Sequence, residues 1–381
     1  MHRKLQIYLI WLKHFFNFNG YILESGSDCN FNDYTAIYKN LLDKYDNDHG
    51  DMLHVTADDL TLLILTIIVG ILNVVPMLAE EKKTRFITRL LTEISTTWMW
   101  ASLMFLIDII VIYVLGQFIE LSLSLCLLML LAVPLIGVHA YWKAHKLIIN
   151  EKTIKFDDLE NDVNIAHLSD VHFGAVRYKK IITQIRDALN DVSDICDVAI
   201  ISGDLADGSS VVSKDDFLPL RDVKIPIIFT PGNHDYYPGI KNVVAACKNA
   251  GIIVLDNESI EINNLNIYGL TFSFGDIEMP SDDELKSQIK EDKVNIINYH
   301  VPYDWSKHSK IGFDIQLSGH THGGQFYPLK WVSELIFKYN IGLFKDDLNH
   351  YLHVTTGVGS MDQPIRWGTD SEIVILKLKK N

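Results

Sequence analysis

Cysteine is scarce and scattered. The four cysteines, Cys29, Cys126, Cys196 and Cys247, form no C-x-x-C pair, which argues against a disulfide framework and against a thiolate zinc site. Positive charge is also short. Thirty-four Lys and Arg stand against 48 Asp and Glu, a net charge of −14, so no global basic field is available and a nucleic-acid partner is not expected. No long internal repeat and no low-complexity tract occurs, so the chain is not built from one repeated unit. At 381 residues it is long enough for two domains.

What is present in quantity is apolar sequence, unevenly placed. Residues 1–20 begin with Arg3 and Lys4 and an apolar patch that Lys13 and His14 interrupt. No small-residue cleavage site comes after it, so the stretch reads as an interfacial or partly disordered leader rather than a signal peptide. Residues 24–59 are polar and acidic and read as a mobile segment, with Met52 as an alternative start. Three long apolar runs come next, at 60–78, 98–118 and 121–141. Each approaches the ~20 residues that cross a bilayer. Trp98, Trp100, Tyr141 and Trp142 stand at their ends, where interfacial aromatics belong.

The link before the second run carries Lys82, Lys83, Arg85 and Arg89, and Lys143, Lys146, Lys152 and Lys155 come after the third. Residues 116–122 carry no Lys or Arg. The positive-inside rule then places everything after the third run on the cytoplasmic side of a multi-pass membrane protein. Asp108 falls mid-run, either as a gate or proton relay or as a carboxylate buried between helices.

From residue 151 the pattern changes to short apolar runs alternating with amphipathic stretches, which predicts an α/β domain with central β-sheets sandwiched by helices. The expected organisation is a polar segment at 1–59, a transmembrane region of about three helices at 60–150 and an α/β domain at 151–381. Strands are expected at 163–168, 197–202, 225–230, 252–255, 265–270, 294–299, 311–317 and 372–378, with helices at 178–189, 239–249 and 282–290.

The informative feature is the polar ending shared by five of these strands. They end in Ser169-Asp170-Val171-His172, in Gly203-Asp204-Leu205-Ala206-Asp207, in Pro231-Gly232-Asn233-His234-Asp235, in His300, and in Gly319-His320-Thr321-His322-Gly323-Gly324-Gln325. Ligands bind beyond the carboxyl ends of strands in α/β sheets, so five polar endings with one placement point to one cleft. Carboxylates, imidazoles and an amide without a thiolate suit Mn²⁺, Fe or Zn²⁺. The groups suffice for two ions sharing a carboxylate. Such a pair clamps both oxygens of an in-line displacement at phosphorus and moves the pKa of a bound water from about 15.7 towards ~7, supplying hydroxide at neutral pH.

In their order and wording these five motifs resemble the calcineurin-like metallophosphoesterase superfamily. The Gly-His-Thr-His-Gly-Gly-Gln run, Pro364-Ile365-Arg366 and Ser371-Glu372-Ile373 are similar to its membrane-associated bacterial branch. The resemblance covers about residues 161–378 and implies a metal-dependent phosphoesterase. It implies that Asp170, His172 and His322 hold one metal, that Asn233, His300 and His320 hold the other, and that Asp204 bridges them. His234 would contact the substrate phosphate, stabilising charge or protonating the leaving oxygen, and Asp235 would orient His234.

Some residues stay open. Asp207 is either a partner behind the site or a loop cap, and Arg366 either reaches a phosphate or pairs with Glu372. His167 reads as a core residue, and His308, His350 and His353 as surface or packing residues. His139 and His145 flank the membrane boundary. Tyr236 and Tyr237 either line the pocket or pack a turn. The membrane runs favour a phosphoester at the bilayer surface, such as a lipid phosphodiester or a nucleotide-linked lipid pyrophosphate. The alternative is a membrane sensor that binds a phosphorylated ligand without turnover; His234-Asp235, surplus to a binding site, favours catalysis. A closed structural site would need only four ligands.

Overall fold

The computed structural model describes residues 84–156, 159, 161–272 and 278–380, together with 71, 75 and 78–80. The leader, the acidic segment, Met52 and most of the first expected span lie outside the described residues. The other two spans are helices: α1 (Phe86–Gly116, 31 residues) and α2 (Leu123–His145, 23 residues). Both are long and apolar enough to cross a bilayer, at about 46 and 34 Å from the rise per residue. The count of about three is thus described for two. Ser122 caps α2 by accepting from the Leu125 N–H. A Cβ at Gly137 would lie 2.8 Å from the Trp100 ring, so glycine is what lets α1 and α2 approach there. About one turn further along α2, the Tyr141 hydroxyl donates to Glu93 at 2.5 Å.

The remaining chain forms two six-stranded sheets. The first comprises β1 (Leu147–Phe156), β12 (Ser371–Lys380), β2 (Val163–Leu168), β3 (Val198–Ser202), β4 (Ile227–Thr230) and β5 (Ile253–Val254), in that spatial order. The second comprises β10 (Gly342–Lys345), β11 (Tyr351–Val354), β9 (Ile315–Ser318), β8 (Val294–Tyr299), β7 (Leu265–Leu270) and β6 (Glu258–Ile262). β2, β3, β4 and β5 run parallel, as do β7, β8, β9 and β11. β12 and β6 are antiparallel to the runs they extend.

The period-2 alternation of a strand decides which core each side chain joins. Ile165, Ile200 and Ile228 pack inward against Ile267, Ile296 and Leu317 of the other sheet. Their neighbours Ala166, Ala199 and Ile201 face outward under α3 (Tyr178–Asp191) and α4 (Ile240–Asn249), which contribute Ile181, Ile185, Val243 and Ala246. On the far side of the second sheet, α5 (Asp282–Ser287) and α6 (Trp305–Ile311) contribute Leu285 and Trp305. The expected α/β sandwich is therefore a helix–sheet–sheet–helix stack.

Several expected boundaries shift. The run at 311–317 is not one strand: Ile311 ends α6, Gly312 turns the chain at φ 125°, and only Ile315–Ser318 pairs. The runs at 252–255 and 282–290 shorten to β5 and α5. β1 was not expected at all, because its polar sequence and largely exposed pattern hide a sheet-edge strand. β6, β10 and β11, α6 and α7 (Leu329–Ile336) were not expected either.

Two buried polar devices hold the layers. Between the sheets, His167 Nδ1 lies 2.7 Å from His353 Nδ1, and His167 Nε2 lies 2.7 Å from Ser202 Oγ. Ser202 donates to Asn298 Oδ1 at 2.5 Å, so it accepts from His167 Nε2–H, which leaves His167 Nδ1 as the acceptor of the His353 Nδ1–H. His167 is therefore neutral. Burial holds His167 well below, and His353 at about 4 against, the ordinary value of 6.5.

The second device is Arg366, fully buried. Among the described residues its guanidinium makes no hydrogen bond to Glu372. Its guanidinium donates to the carbonyls of Thr356, Gly357, Gly359 and Asp370 and to Thr369 Oγ1. Glu372 instead accepts from Asn150, Thr355 and Thr356. The Arg366 loop returns to the site, since the Gly359 N–H donates to the Asp170 carbonyl at 2.7 Å. Burial lowers the guanidinium to about 10, which leaves it charged at neutral pH.

Replacing Arg366 by Met orphans these carbonyls, and the expected loss is ~3–5 kcal/mol in denaturant unfolding of the detergent-solubilised chain; an unchanged midpoint would mean that the carbonyls find other donors. The histidine pair predicts an acid-side slope. Its folded pKa values lie below the unfolded 6.5, so the unfolded chain takes up protons first and stability falls as pH drops from about 6.5 towards 4. Asn at 353 can donate without titrating, so His353→Asn should flatten melting temperature against pH in that window, and an equal slope in both proteins would show that the pair does not carry it.

Candidate metal centre

The five motifs sit where parallel strands stop. β2, β3 and β4 end side by side in one sheet, β8 and β9 in the other, so their carboxyl ends open into one space. The backbone knits the turns together. Asp170 N–H donates to the Gly203 carbonyl at 3.1 Å and His172 N–H to the Asp204 carbonyl at 3.0 Å. His320 N–H donates to Asp170 Oδ2 at 3.0 Å, and His234 N–H to Asp204 Oδ1 at 2.8 Å. Gly232 and Gly319 are required by close approach: a Cβ on either would meet the carboxylate of Asp204 or of Asp170.

Asp170, His172, Asp204, His320 and His322 all take positive φ, between 48° and 70°. Non-glycine residues adopt this region at a cost, and such residues cluster at functional sites. The side chains then converge as three overlapping groups: Asp170, His172 and His322; His172, Asp204 and His234; and Asp204, His300 and His320, the donor atoms within each lying within 4.8 Å of one another. His172 Nε2 and His322 Nε2 stand 3.0 Å apart, and His320 Nδ1 stands 3.2 Å from His300 Nε2. His300 Nε2 is 3.1 Å from Asp204 Oδ2, and His322 Nε2 is 3.3 Å from Asp170 Oδ1. Asn233 is buried beside them with Oδ1 lacking a hydrogen-bond partner.

This set fits divalent cations. Its donors are oxygen and imidazole nitrogen, a hard-to-borderline field, and Asn233 Oδ1 is an orphaned buried acceptor of the kind a cation satisfies. The electrostatics point the same way. Burial, the largest single influence, would raise Asp170 and Asp204, yet the surrounding imidazoles, led by His322 and His300 respectively, together outweigh it and hold both carboxyls far below their usual range. Burial would lower His300, but Asp204 overrides it and lifts the imidazole to about 9. His320 goes the other way, to about 4, through burial and the neighbouring His300. His322 is likewise lowered, by burial first, so only His172 and His300 are raised against burial by the two carboxylates, whose charge a cation would offset.

One expectation needs correction. Asp235 does not hold the His234 ring through its carboxylate. Its oxygens accept from the backbone N–H groups of Asp204, Ala206 and Gly232 at 2.8–2.9 Å, clamping two turns together. Burial and the Asp204 charge raise it to about 7. His234 Nδ1 faces the Asp207 carbonyl at 3.2 Å instead. The Asp207 carboxylate accepts from the Ser209 N–H and hydroxyl, which is the loop-cap reading.

Sequence reasoning also missed contributors. The Ser202 carbonyl receives His300 Nδ1–H at 2.7 Å, fixing the tautomer that leaves Nε2 aimed at Asp204; a backbone carbonyl leaves no sequence signal. Phe337 and Phe272 stack edge-on against His320 at 5.9 and 6.3 Å. Tyr237 stacks edge-on against His234 at 4.9 Å, so of the two tyrosines in question this one borders the site.

Among family models, calcineurin-like phosphoesterase matches residues 163–324. An uncharacterized metallophosphoesterase of Helicobacter pylori is 30% identical over 236 residues, 60% of this chain and 63% of that protein. The uncharacterized protein YpbG of Bacillus subtilis is 30% identical over 225 residues, 57% of this chain and 81% of the relative. A Bos taurus transmembrane protein with metallophosphoesterase domain is 25% identical over 241 residues, 58% of this chain and 53% of the relative. The chain thus spans somewhat under two thirds of the Helicobacter protein and about half of the bovine one. The matched stretch runs from the start of β2 to just past His322 and contains all five strand ends; the likeness falls on the convergent site itself, and the chain belongs to the calcineurin-like phosphoesterase family.

Proposed function

We propose that this chain is a membrane-anchored phosphoester hydrolase that works with two divalent ions. The observation that carries the reading is the overlap of the three donor groups through His172 and Asp204. One isolated trio would suit a single ion; overlapping trios with a common carboxylate suit a pair. In this reading Asp170, His172 and His322 hold one ion, Asn233, His300 and His320 hold the other, and Asp204 lies between. Bound there, Mn²⁺, Fe or Zn²⁺ would supply Lewis acidity at phosphorus and a nucleophile from water at neutral pH.

The chain's own groups do the rest. Asp170 and Asp204 keep their anionic form inside the protein because the imidazoles around them offset burial. His300 is held by Ser202 so that its other ring nitrogen points inward. His234, half-buried at the rim, has Nδ1–H directed to the Asp207 carbonyl. The ring so oriented can present Nε2 to a phosphate oxygen and, when protonated, hand its proton to the leaving oxygen. Asp235 positions this machinery from behind by fixing the turns that carry Asp204 and His234.

The membrane part of the reading rests on α1 and α2 and on the transmembrane relative. Lys143 and Lys146 at the domain end of α2, with Arg85 and Arg89 at the same end of α1, favour a cytoplasmic domain by the positive-inside rule. A sensor without turnover gains no support here, since His234 adds a proton-carrying group at the rim that recognition alone would not require.

Asp204→Ala is expected to lose bound metal and activity together, read by elemental analysis and by hydrolysis of bis(p-nitrophenyl) phosphate with the detergent-solubilised chain. His234→Ala is expected to keep its metal and lose about 10²–10⁴-fold in rate. Parent-like turnover by His234→Ala would remove it from the reaction, and full metal retention by Asp204→Ala would end the shared-carboxylate reading.

A further inference from the structure

Helix α7 comes after the Gly-His-Thr-His turn and is amphipathic with its apolar side outward. Ser333 is buried and donates to Asn340 Oδ1 at 2.8 Å. Trp331, Val332, Leu335 and Ile336 are exposed, Leu335 at 88% and Ile336 at 65%. The charged residues on this helix, Lys330 and Glu334, pair with each other at 2.5 Å. A helix on the surface of a water-soluble domain places its apolar stripe inward; an outward patch marks an interaction surface.

The neighbourhood identifies the occupant. Just before α7, Phe326 packs together with Ile365 and Trp367 against Trp100, Met104, Val133 and Ala140 of α1 and α2. Tyr327 continues that contact, its ring 5.4 Å from Trp367 and 4.9 Å from Trp331. The aromatic row therefore runs from the apolar helices to the exposed side of α7. Trp98 and Trp142, about half exposed on α1 and α2, sit near the same end, where a bilayer's interfacial aromatics belong. The aromatic row joins the apolar surface of α1 and α2 to that of α7.

We propose that α7 is an interfacial helix: it lies in the surface of the bilayer that α1 and α2 cross, with Trp331, Leu335 and Ile336 at the boundary of headgroups and acyl chains. This has a consequence for the substrate, which rests on the phosphoesterase reading above. Phe337, the residue after α7, stacks 5.9 Å from His320 and 6.1 Å from Tyr303. The seated helix thus borders the metal centre, and the phosphoester it serves is one displayed at the lipid surface, an amphiphile with its phosphate among the headgroups.

The test uses the full chain in nanodiscs of phosphatidylcholine and phosphatidylglycerol, with Cys29→Ser and Cys126→Ser; Cys196 and Cys247 are buried. A nitroxide on Leu335→Cys should collide several-fold more often with oxygen than with a water-soluble nickel chelate. The reverse is expected at Leu348→Cys, an exposed position just before β11, at the end of its sheet opposite the strand ends. Equal behaviour at both positions would overturn the proposal, as would dipolar broadening between labels, which would assign the face to a second copy. In the same discs, the variant Trp331→Asp with Leu335→Asp should lose tenfold or more on a fluorescent lipid phosphodiester and stay within twofold on bis(p-nitrophenyl) phosphate. An equal loss on both would reduce α7 to a structural part, and a parent that cleaves only the soluble ester would overturn the substrate class. If the parent cleaves neither while the label reports lipid, the hydrolase reading fails and the interfacial helix stands.

Discussion

The structure depends on two carboxylates that have no access to water. Asp170 and Asp204 are buried where the strands of both sheets end, and an anion in that position requires positive charge and hydrogen-bond donors around it. The chain provides both. Backbone N–H groups of His320 and His234 reach the carboxylate oxygens directly. Imidazoles arrive from both sheets, His172 after β2, His300 after β8, His320 and His322 after β9. Holding so many polar groups within one small volume forces the turns into the positive-φ region, and Arg366 and Asp235 then lock those turns from beneath. Strain at the top of the sheets is thus balanced by hydrogen bonds below them.

The same constraint explains what the sequence disclosed. The motifs could be read because buried parallel strands are short apolar runs and their ends are punctuated by Gly, Asp and His. β2, β7 and β8 fall at their expected limits. The convergence could be anticipated because carboxyl ends of parallel strands lie on one side of a sheet. β9 was misjudged because Ile311 and Phe313 are as apolar as a strand but serve α6 and the turn after it. Arg366 reads as reaching a phosphate or pairing with Glu372, and Asp235 as orienting His234, because a charged residue near a motif is read against side-chain partners. Their partners are backbone carbonyls and N–H groups, which every residue possesses and no sequence pattern displays. β1 and α7 escaped for opposite reasons: β1 is too polar to look like a strand, and α7 is apolar on the side a domain normally keeps wet.

Between the sheets, the histidine pair shows how the polar site is joined to the apolar core. Ser202 serves both: its hydroxyl receives His167, and its carbonyl receives His300. One residue at the end of β3 therefore links the inter-sheet layer to the centre. Asn298 extends the link to β4 through Thr230 Oγ1 at 2.9 Å. A shift of one sheet against the other would disturb His300 directly. This makes the packing of Ile165, Ile200 and Ile296 part of the geometry of the site and not only a source of stability.

The two long apolar helices obey the same logic. α2 does not hang from the domain on a flexible tether. A single residue, Lys146, separates it from β1, which pairs along its whole length with β12. The Ala140 carbonyl accepts from the Arg366 N–H at 3.0 Å, the Ala144 carbonyl accepts from the Arg177 guanidinium, and Lys143 pairs with Asp370 at 2.7 Å. Arg366 is also the residue whose side chain holds the Gly359 carbonyl, and the Gly359 N–H holds Asp170. A continuous hydrogen-bonded path thus runs from the last turns of an apolar helix to the backbone carbonyl of Asp170 in the candidate centre. A flexible tether would raise only the local concentration of the domain at a surface, leaving its orientation free. A helix built into the loop beneath the site fixes orientation as well, and with it which rim of the cleft faces α1 and α2.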